Sequence, residues 1–177
     1  MKYSIDGKNV SMESENIISL RKNKITLPKI LTERIQKKDY VLLNGYLRLL
    51  DEPMQDKVLS LIEKYEDWQS GIPFAITAFG DVLVWDSKYV FMYKLVEDKV
   101  DVILSGFDFF FNNINDKKYQ KEFFDLDLYN SAIKRLGPLA KDECFTIQPL
   151  PKLGGKKEER YLAKGKFIEY LALILML

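Results

Sequence analysis

One arrangement in this chain comes close to enzymatic chemistry. Asp81 or Asp86, followed by the triplet Glu97-Asp98-Lys99, offers carboxylates and a lysine beside a β-rich core. Oxygen ligands of that kind hold a divalent cation, and the chemistry would be metal-dependent nuclease cleavage. Glu97-Asp98 falls at a turn, however, so spacing alone does not make the carboxylates converge, and motifs this short arise freely by chance. The other catalytic constellations fail on residue type. The chain contains no histidine, which removes Ser-His and Cys-His nucleophilic pairs and histidine zinc sites. The single cysteine, Cys144, can build neither a thiolate zinc site nor an internal disulfide. It follows Asp142-Glu143, whose charge disfavours a thiolate, and it reads as a small buried hydrophobe at the start of a strand. Leu153-Gly154-Gly155-Lys156-Lys157 superficially resembles a phosphate loop. Leu150 stands at the first glycine and Lys157 at the magnesium-binding Ser or Thr, so the pattern fails and reads as a Gly-rich turn followed by solvated charge. No catalytic residue, metal site or cofactor is predicted.

Aromatic residues are numerous: Tyr89, Phe91, Tyr93, Phe107, Phe109, Phe110 and Phe111. A platform for single-stranded nucleic acid would interleave them with Lys and Arg on one exposed surface. Their neighbours are mainly apolar or acidic, which predicts core packing. The basic stretch Lys152, Lys156, Lys157, Arg160, Lys164 and Lys166 is diluted by Glu158 and Glu159 and reads as a solvated face.

The elements that must position these residues centre on Gly71–Ser105. Short runs rich in Val, Phe, Tyr and Trp are cut there by Phe79-Gly80-Asp81, Asp86-Ser87-Lys88 and Glu97-Asp98. Runs this short and β-branched predict an antiparallel meander over about 72–105. Tyr89, Phe91, Tyr93 and Leu95 share one face, Val90, Met92 and Lys94 the other, so both faces need cover. Upstream, Ser4–Val10 with Asp6-Gly7 suggests a hairpin, and Ser14-Glu15 a helix cap. Leu27-Pro28 starts a helix, Asn44-Gly45 turns a hairpin between 40 and 50, and Asp51-Glu52-Pro53 opens a helix with Met54, Val58, Leu61, Ile62 and Tyr65 on its stripe. Downstream, helices are predicted over Phe107–Ile114, Lys117–Phe124 and from a cap at Asp125 to Leu136. A strand follows at Cys144–Ile147, then a loop at Pro149–Gly155, a charged connection at Glu158–Lys166 and a terminal helix. The fold class is α+β, a meander packed by C-terminal helices with a smaller N-terminal α/β segment.

Composition sets the outer limits. The 177 residues fit one domain or two small ones. Lys+Arg 27 against Asp+Glu 26 gives no support to broad nucleic-acid or membrane-surface binding. The apolar C-terminal run is about half the roughly 20 residues a spanning helix needs. The polar N-terminus and lone cysteine predict a cytoplasmic protein.

Three motifs in order carry a family resemblance. They are Gly71-Ile72-Pro73-Phe74 through Thr77-Ala78-Phe79-Gly80-Asp81 to Trp85; Leu136-Gly137-Pro138-Leu139 with Asp142-Glu143-Cys144-Phe145; and Pro149-Leu150 with Leu153-Gly154-Gly155, Leu162 and Lys164. Together they resemble the C-terminal Tdi-type domain (71–177) of bacterial immunity proteins, and Leu27-Pro28 with Leu31, and Asn44-Gly45 before Asp51-Glu52-Pro53, resemble the N-terminal GAD-like segment (1–70) of such proteins. The resemblance implies a protein that binds and occludes a cognate toxin, often a nuclease delivered by type VI secretion, without catalysis, cofactor, direct nucleic-acid contact or membrane. A nuclease cleft is basic, so an acidic face should meet it. Glu97, Asp98 and Asp101, or Glu122, Asp125 and Asp127, are the candidates. Gly80, Asp81, Trp85, Gly137, Pro138, Asp142, Glu143, Gly154 and Gly155 match the resemblance as structural positions. A SUKH-like regulatory interaction module is the alternative, and the metal-dependent nuclease a remoter one.

Overall fold

The computed structural model describes residues 25–177. The hairpin at Ser4–Val10 and the cap at Ser14-Glu15 lie outside the described residues. Six strands form one antiparallel sheet in chain order: β1 Val41–Leu42, β2 Leu47–Leu49, β3 Ile72–Thr77, β4 Val82–Trp85, β5 Tyr89–Lys94 and β6 Lys99–Ser105. The α+β class and the central meander are as the sequence predicts, and the meander gains two strands. The hairpin around Asn44-Gly45 does not stand apart: β2 pairs with β3, Leu47 opposite Thr77 and Leu49 opposite Ala75. The connection is a 3-10 turn over Leu43–Gly45 rather than a two-residue turn, with positive φ at all three residues.

Side-chain alternation divides the sheet cleanly. Phe74, Leu83, Trp85, Val90, Met92 and Ile103 project to one side. They meet α3 Phe110–Asn113, α4 Lys117–Phe123 and α5 Leu126–Leu136 through Phe107, Phe110, Ile114, Phe124, Tyr129 and Ala132. Ile76, Val82, Val84, Phe91 and Tyr93 project to the other side. They are covered by Val58, Leu59 and Ile62 of α2 Glu52–Ile62, and by Phe167, Tyr170 and Leu171 of α6 Phe167–Met176. α2 begins where Asp51 accepts a hydrogen bond from the Met54 amide at 3.1 Å, with Pro53 in its first turn. The first helix, α1, runs Lys29–Gln36 and buries Leu31. The aromatic residues at 107–111 pack inward, Phe107 stacked on Phe110 at 4.8 Å, except Phe109, which is exposed.

A second, two-stranded sheet was not foreseen. β7 Glu143–Ile147 pairs with β8 Leu162–Lys166, within what reads as a charged connection. Along β8 only Leu162 is buried; Lys164 and Lys166 point outward, so the strand carries a surface composition. Gly165 is required by proximity: a Cβ there would lie 2.7 Å from Thr146 Cγ2. The hairpin is fastened to the large sheet where the Phe145 amide donates to the Ala78 carbonyl at 2.7 Å. The helix predicted over Phe107–Ile114 is shorter than expected, because Gly106 at positive φ and a bend precede α3.

Burial gives this fold an alkaline limit. It pushes the Tyr170 hydroxyl and the Cys144 thiol up to about 12. It also raises Tyr46, Tyr93, Tyr119 and Tyr129 above the ordinary tyrosine value. The folded chain therefore keeps protons that an unfolded chain releases above about pH 8.5 for cysteine and 10 for tyrosine. Stability is complete below those values and falls as pH climbs toward 12. Between pH 8 and pH 11 the free energy of unfolding should drop by about 3 kcal/mol or more. Tyrosinate absorbance should rise together with loss of circular dichroism, in one step.

Candidate functional site

The acidic candidates are drawn together by a residue that the sequence presents as ordinary surface charge. Lys157 lies in the loop after Gly154-Gly155, and its side chain is only 15% exposed. Its Nζ is 2.7 Å from Asp125 Oδ2, 2.9 Å from Glu97 Oε1 and 3.9 Å from Asp81 Oδ2, and 5.2 Å from the centre of the Phe79 ring. Three carboxylates from three separate turns thus converge on one ammonium. Of the basic stretch, Lys157 is the residue that departs from the expected solvated face; Lys152, Lys156, Arg160, Lys164 and Lys166 are exposed.

Each partner is placed by local structure. Asp81 closes the β3–β4 turn: the Thr77 hydroxyl donates to its carboxylate at 2.8 Å and accepts from the Phe79 and Asp81 amides. Asp81 is 2% exposed, and burial raises its carboxyl above the usual range against the pull of Lys157 and Thr77. Gly80 takes φ +85° in this turn, which L residues rarely adopt. Glu97 lies in the 3-10 turn between β5 and β6, followed by Asp98 in the left-handed region. Asp125 precedes α5 but does not cap it, contrary to the sequence expectation; its carboxylate is taken by Lys157 instead. Its own amide donates to the buried Tyr46 hydroxyl at 3.0 Å.

Burial alone would lower the Lys157 ammonium. The charges of Asp81 and Asp125 and hydrogen bonds to Asp125 and Glu97 outweigh it and hold the group charged, well above the ordinary lysine value. Of the carboxylates that a nuclease would use on a metal ion, Asp81 and Glu97 surround a lysine, while Asp98 accepts from the Tyr65 hydroxyl and Asp86 from the Lys88 and Tyr89 amides. Among the described residues no group of three or more His, Cys, Asp or Glu has the arrangement to hold a metal ion.

The remaining acidic candidates differ in how free they are. Asp98 accepts from the Tyr65 hydroxyl at 2.8 Å, and Asp101 pairs with Lys99 at 2.8 Å and with Lys94 at 3.7 Å. Glu122 and Asp127 are exposed, with no ion-pair partner among the described residues. Asp125, Asp127, Glu158 and Glu159 line an open groove of about 850 Å³, with Lys117, Lys121 and Lys157 on its walls. A second groove of about 520 Å³ carries Glu66, Asp67, Glu97 and Asp98 beside the apolar end of α6. The two acidic triplets, alternatives in the sequence, meet at Lys157, which pairs with one member of each.

The motif positions serve the frame around this cluster. Trp85 donates its indole N–H to the Thr26 carbonyl at 3.2 Å. Gly137 takes a positive φ where α5 stops, and the Pro138 carbonyl accepts from Lys164 at 3.1 Å. Asp142 pairs with Lys166 at 2.7 Å, and Glu143 accepts from the Ala140 amide at 2.8 Å. Gly154 and Gly155 differ in kind. Gly154 has φ +95° with open space around it, whereas a Cβ on Gly155 would lie 1.7 Å from the Pro149 carbonyl oxygen. Gly154→Ala should cost about 1 kcal/mol from backbone strain. Gly155→Ala should cost about 3 kcal/mol, because the backbone of the loop that carries Lys157 must move. Urea denaturation of both variants checks the ranking.

Lys157 and the buried Arg48 are the residues that sequence reasoning missed. The usable signal for Lys157 lies in Asp81, a carboxylate in an otherwise apolar segment, which demands a cationic partner.

Comparison with known proteins bears on the fold and on the C-terminal segment of the chain. The crystal structure of Atu4351 from Agrobacterium tumefaciens is similar over 85% of this chain and 81% of that chain, with a TM-score of 0.56 at 14% identity, a likeness of fold. No curated protein sequence matches the chain. Asp125 and Lys157, with Glu122 and Asp127, lie in the segment 104–177, which matches the family described as "T6SS immunity protein Tdi1, C-terminal"; the match supports an immunity protein of type VI secretion.

Proposed function

We propose that this protein neutralises a cognate toxin, delivered by a type VI secretion system, by binding it directly and blocking its active site. The observation that carries the reading is the match of residues 104–177 to a type VI secretion immunity family. In this reading a GAD-like segment over 1–70 precedes a Tdi-type domain over 71–177. The acidic face around Lys157 meets the toxin, and a nuclease, whose cleft must be basic to hold nucleic acid, is the partner it suits. Neutralisation of this kind is stoichiometric and needs no group that turns over.

Charge on that face divides into two classes. Glu97 and Asp125 are held by Lys157 and serve the fold as well as the surface. Glu122 and Asp127 are free to act outward. A Glu122→Lys, Asp127→Lys double variant should fold with stability within about 0.5 kcal/mol of the parent, since neither side chain has an ion-pair partner among the described residues to lose. Its association with the toxin should slow about tenfold or more at low salt, and that deficit should shrink as salt is added.

The reading is tested by co-expression with the adjacent reading frame. Rescue from a toxic neighbour and recovery of a one-to-one complex would support it. A toxic neighbour that the protein neither binds nor neutralises would overturn it.

A further inference from the structure

A cavity of about 410 Å³ lies apart from the Lys157 cluster, between the β1–β2 hairpin, the first turn of α2, the Pro138–Asp142 connection and the start of α6. Leu49, Met54, Leu139 and Ile168 give it apolar walls, and Arg48 of β2 forms part of its lining. We propose that this cavity binds a small carboxylic acid with an apolar body, its carboxylate drawn to Arg48.

Arg48 carries the argument. It is 8% exposed, in the middle of a three-residue strand. Its Nη1 donates to the Ala140 and Lys141 carbonyls at 2.9 and 3.2 Å, and its Nη2 to the Glu143 carbonyl at 2.5 Å. Nε has no acceptor. Every hydrogen-bond partner among the described residues is a neutral oxygen, so within them the positive charge is held in place without an ion pair. The charged side chains beside it have partners of their own: Lys141 pairs with Asp51 at 3.2 Å, Asp142 with Lys166 at 2.7 Å, and Glu143 accepts from the Ala140 amide at 2.8 Å and lies 3.9 Å from Lys164. Burial lowers the affinity of the guanidinium for its proton, and the nearby Glu143 and Asp142 charges offset this only in part.

A buried cation without a counterion is costly, and a carboxylate brought into a water-poor site beside it recovers part of that cost. The apolar walls select the rest of the molecule. At about 30 Å³ for each water-sized group, the volume takes roughly a dozen non-hydrogen atoms. An aryl-alkyl acid such as 4-phenylbutyrate has that size, one negative charge and no further polar group for the walls to leave unpaired. Clefts of this volume are ordinary for small-molecule sites. The inference does not rest on the immunity reading, since the cavity lies away from the face proposed for the toxin.

The test uses the full chain and three probes of one shape: 4-phenylbutyrate, 4-phenylbutan-1-ol and 4-phenylbutylammonium. Thermal shift and titration calorimetry read binding. The acid should raise Tm in a saturable way, with a Kd between about 1 μM and 1 mM. The alcohol should bind about tenfold or more weakly, and the ammonium compound should not bind. Met54→Trp and, separately, Leu139→Trp place an indole in the cavity. Each should reduce affinity for the acid about tenfold or more while circular dichroism stays unchanged. Arg48→Met should bring acid and alcohol to equal affinity. Should that variant fail to fold, the alcohol comparison and the two tryptophan variants still decide the matter. No binding of the acid at about 10 mM, equal binding of acid and alcohol, or unchanged affinity in both tryptophan variants would overturn the proposal.

Discussion

Lys157→Met should unfold with a free energy about 3–5 kcal/mol lower than the parent, because it leaves the buried Asp81 facing Glu97 and Asp125 with only the weaker pull of Lys94 to offset them. That loss exceeds what an exposed lysine contributes, which is about 0–1 kcal/mol. Two further measurements separate this cause from simple loss of packing. Adding Asp81→Asn should restore about half of the lost stability, since an amide can keep the Thr77 contact without carrying charge. Acidification should also narrow the gap. Without Lys157 the Asp81 carboxyl lies further above its unfolded value, so the variant gains stability as pH falls from 7 toward 5 while the parent changes less. A Lys157→Met protein as stable as the parent would mean that water, not the lysine, serves those carboxylates.

Phe74→Ala is expected to be as damaging, through packing rather than charge. Phe74 is fully buried in β3 and meets Phe107 and Phe110 edge-on at 5.6 and 5.5 Å. Truncation leaves a cavity under the stacked Phe107–Phe110 pair and should cost about 3–5 kcal/mol. Guanidinium denaturation with an unchanged m-value would place the effect on the native state. Phe109→Ala, at an exposed position of the same aromatic run, should change stability by less than about 0.5 kcal/mol. The pair of variants separates a run of phenylalanines into members that hold the sheet and one that does not.

Much of the fold is legible because its signals are periodic. The alternation of Tyr89, Phe91, Tyr93 and Leu95 against Val90 and Met92 forecasts two covered faces, and the structure divides them as written. Asp51-Glu52-Pro53 states a helix start in local chemistry, and α2 begins there. What is not legible is short or masked by charge. Asn44-Gly45 marks the β1–β2 hairpin, but its pairing with β3 and the burial of Arg48 are not legible, because β2 has only three residues, too few for a period. β8 reads Leu-Ala-Lys-Gly-Lys because only one of its side chains faces the core. Lys157 sits between Lys156 and Glu158, and nothing local distinguishes it from its exposed neighbours. Its burial is decided by Asp81, far away in sequence, and pairwise demands across such distances leave no mark on composition. For Asp125, a helix cap and an ion pair ask for the same residue type, so the local rule names the wrong use.

The order in which the four charges are made has its own consequence. Asp81, Glu97 and Asp125 all precede Lys157, so a nascent chain displays three acids before the ribosome has supplied the base that reconciles them. At about 5–20 residues per second the wait after Asp125 is several seconds. During that interval the β3–β4 turn carries an unreconciled carboxylate, and tight closure of the C-terminal helices over it is disfavoured. The lysine thus acts as a latch that is made only after all three of the acids it joins.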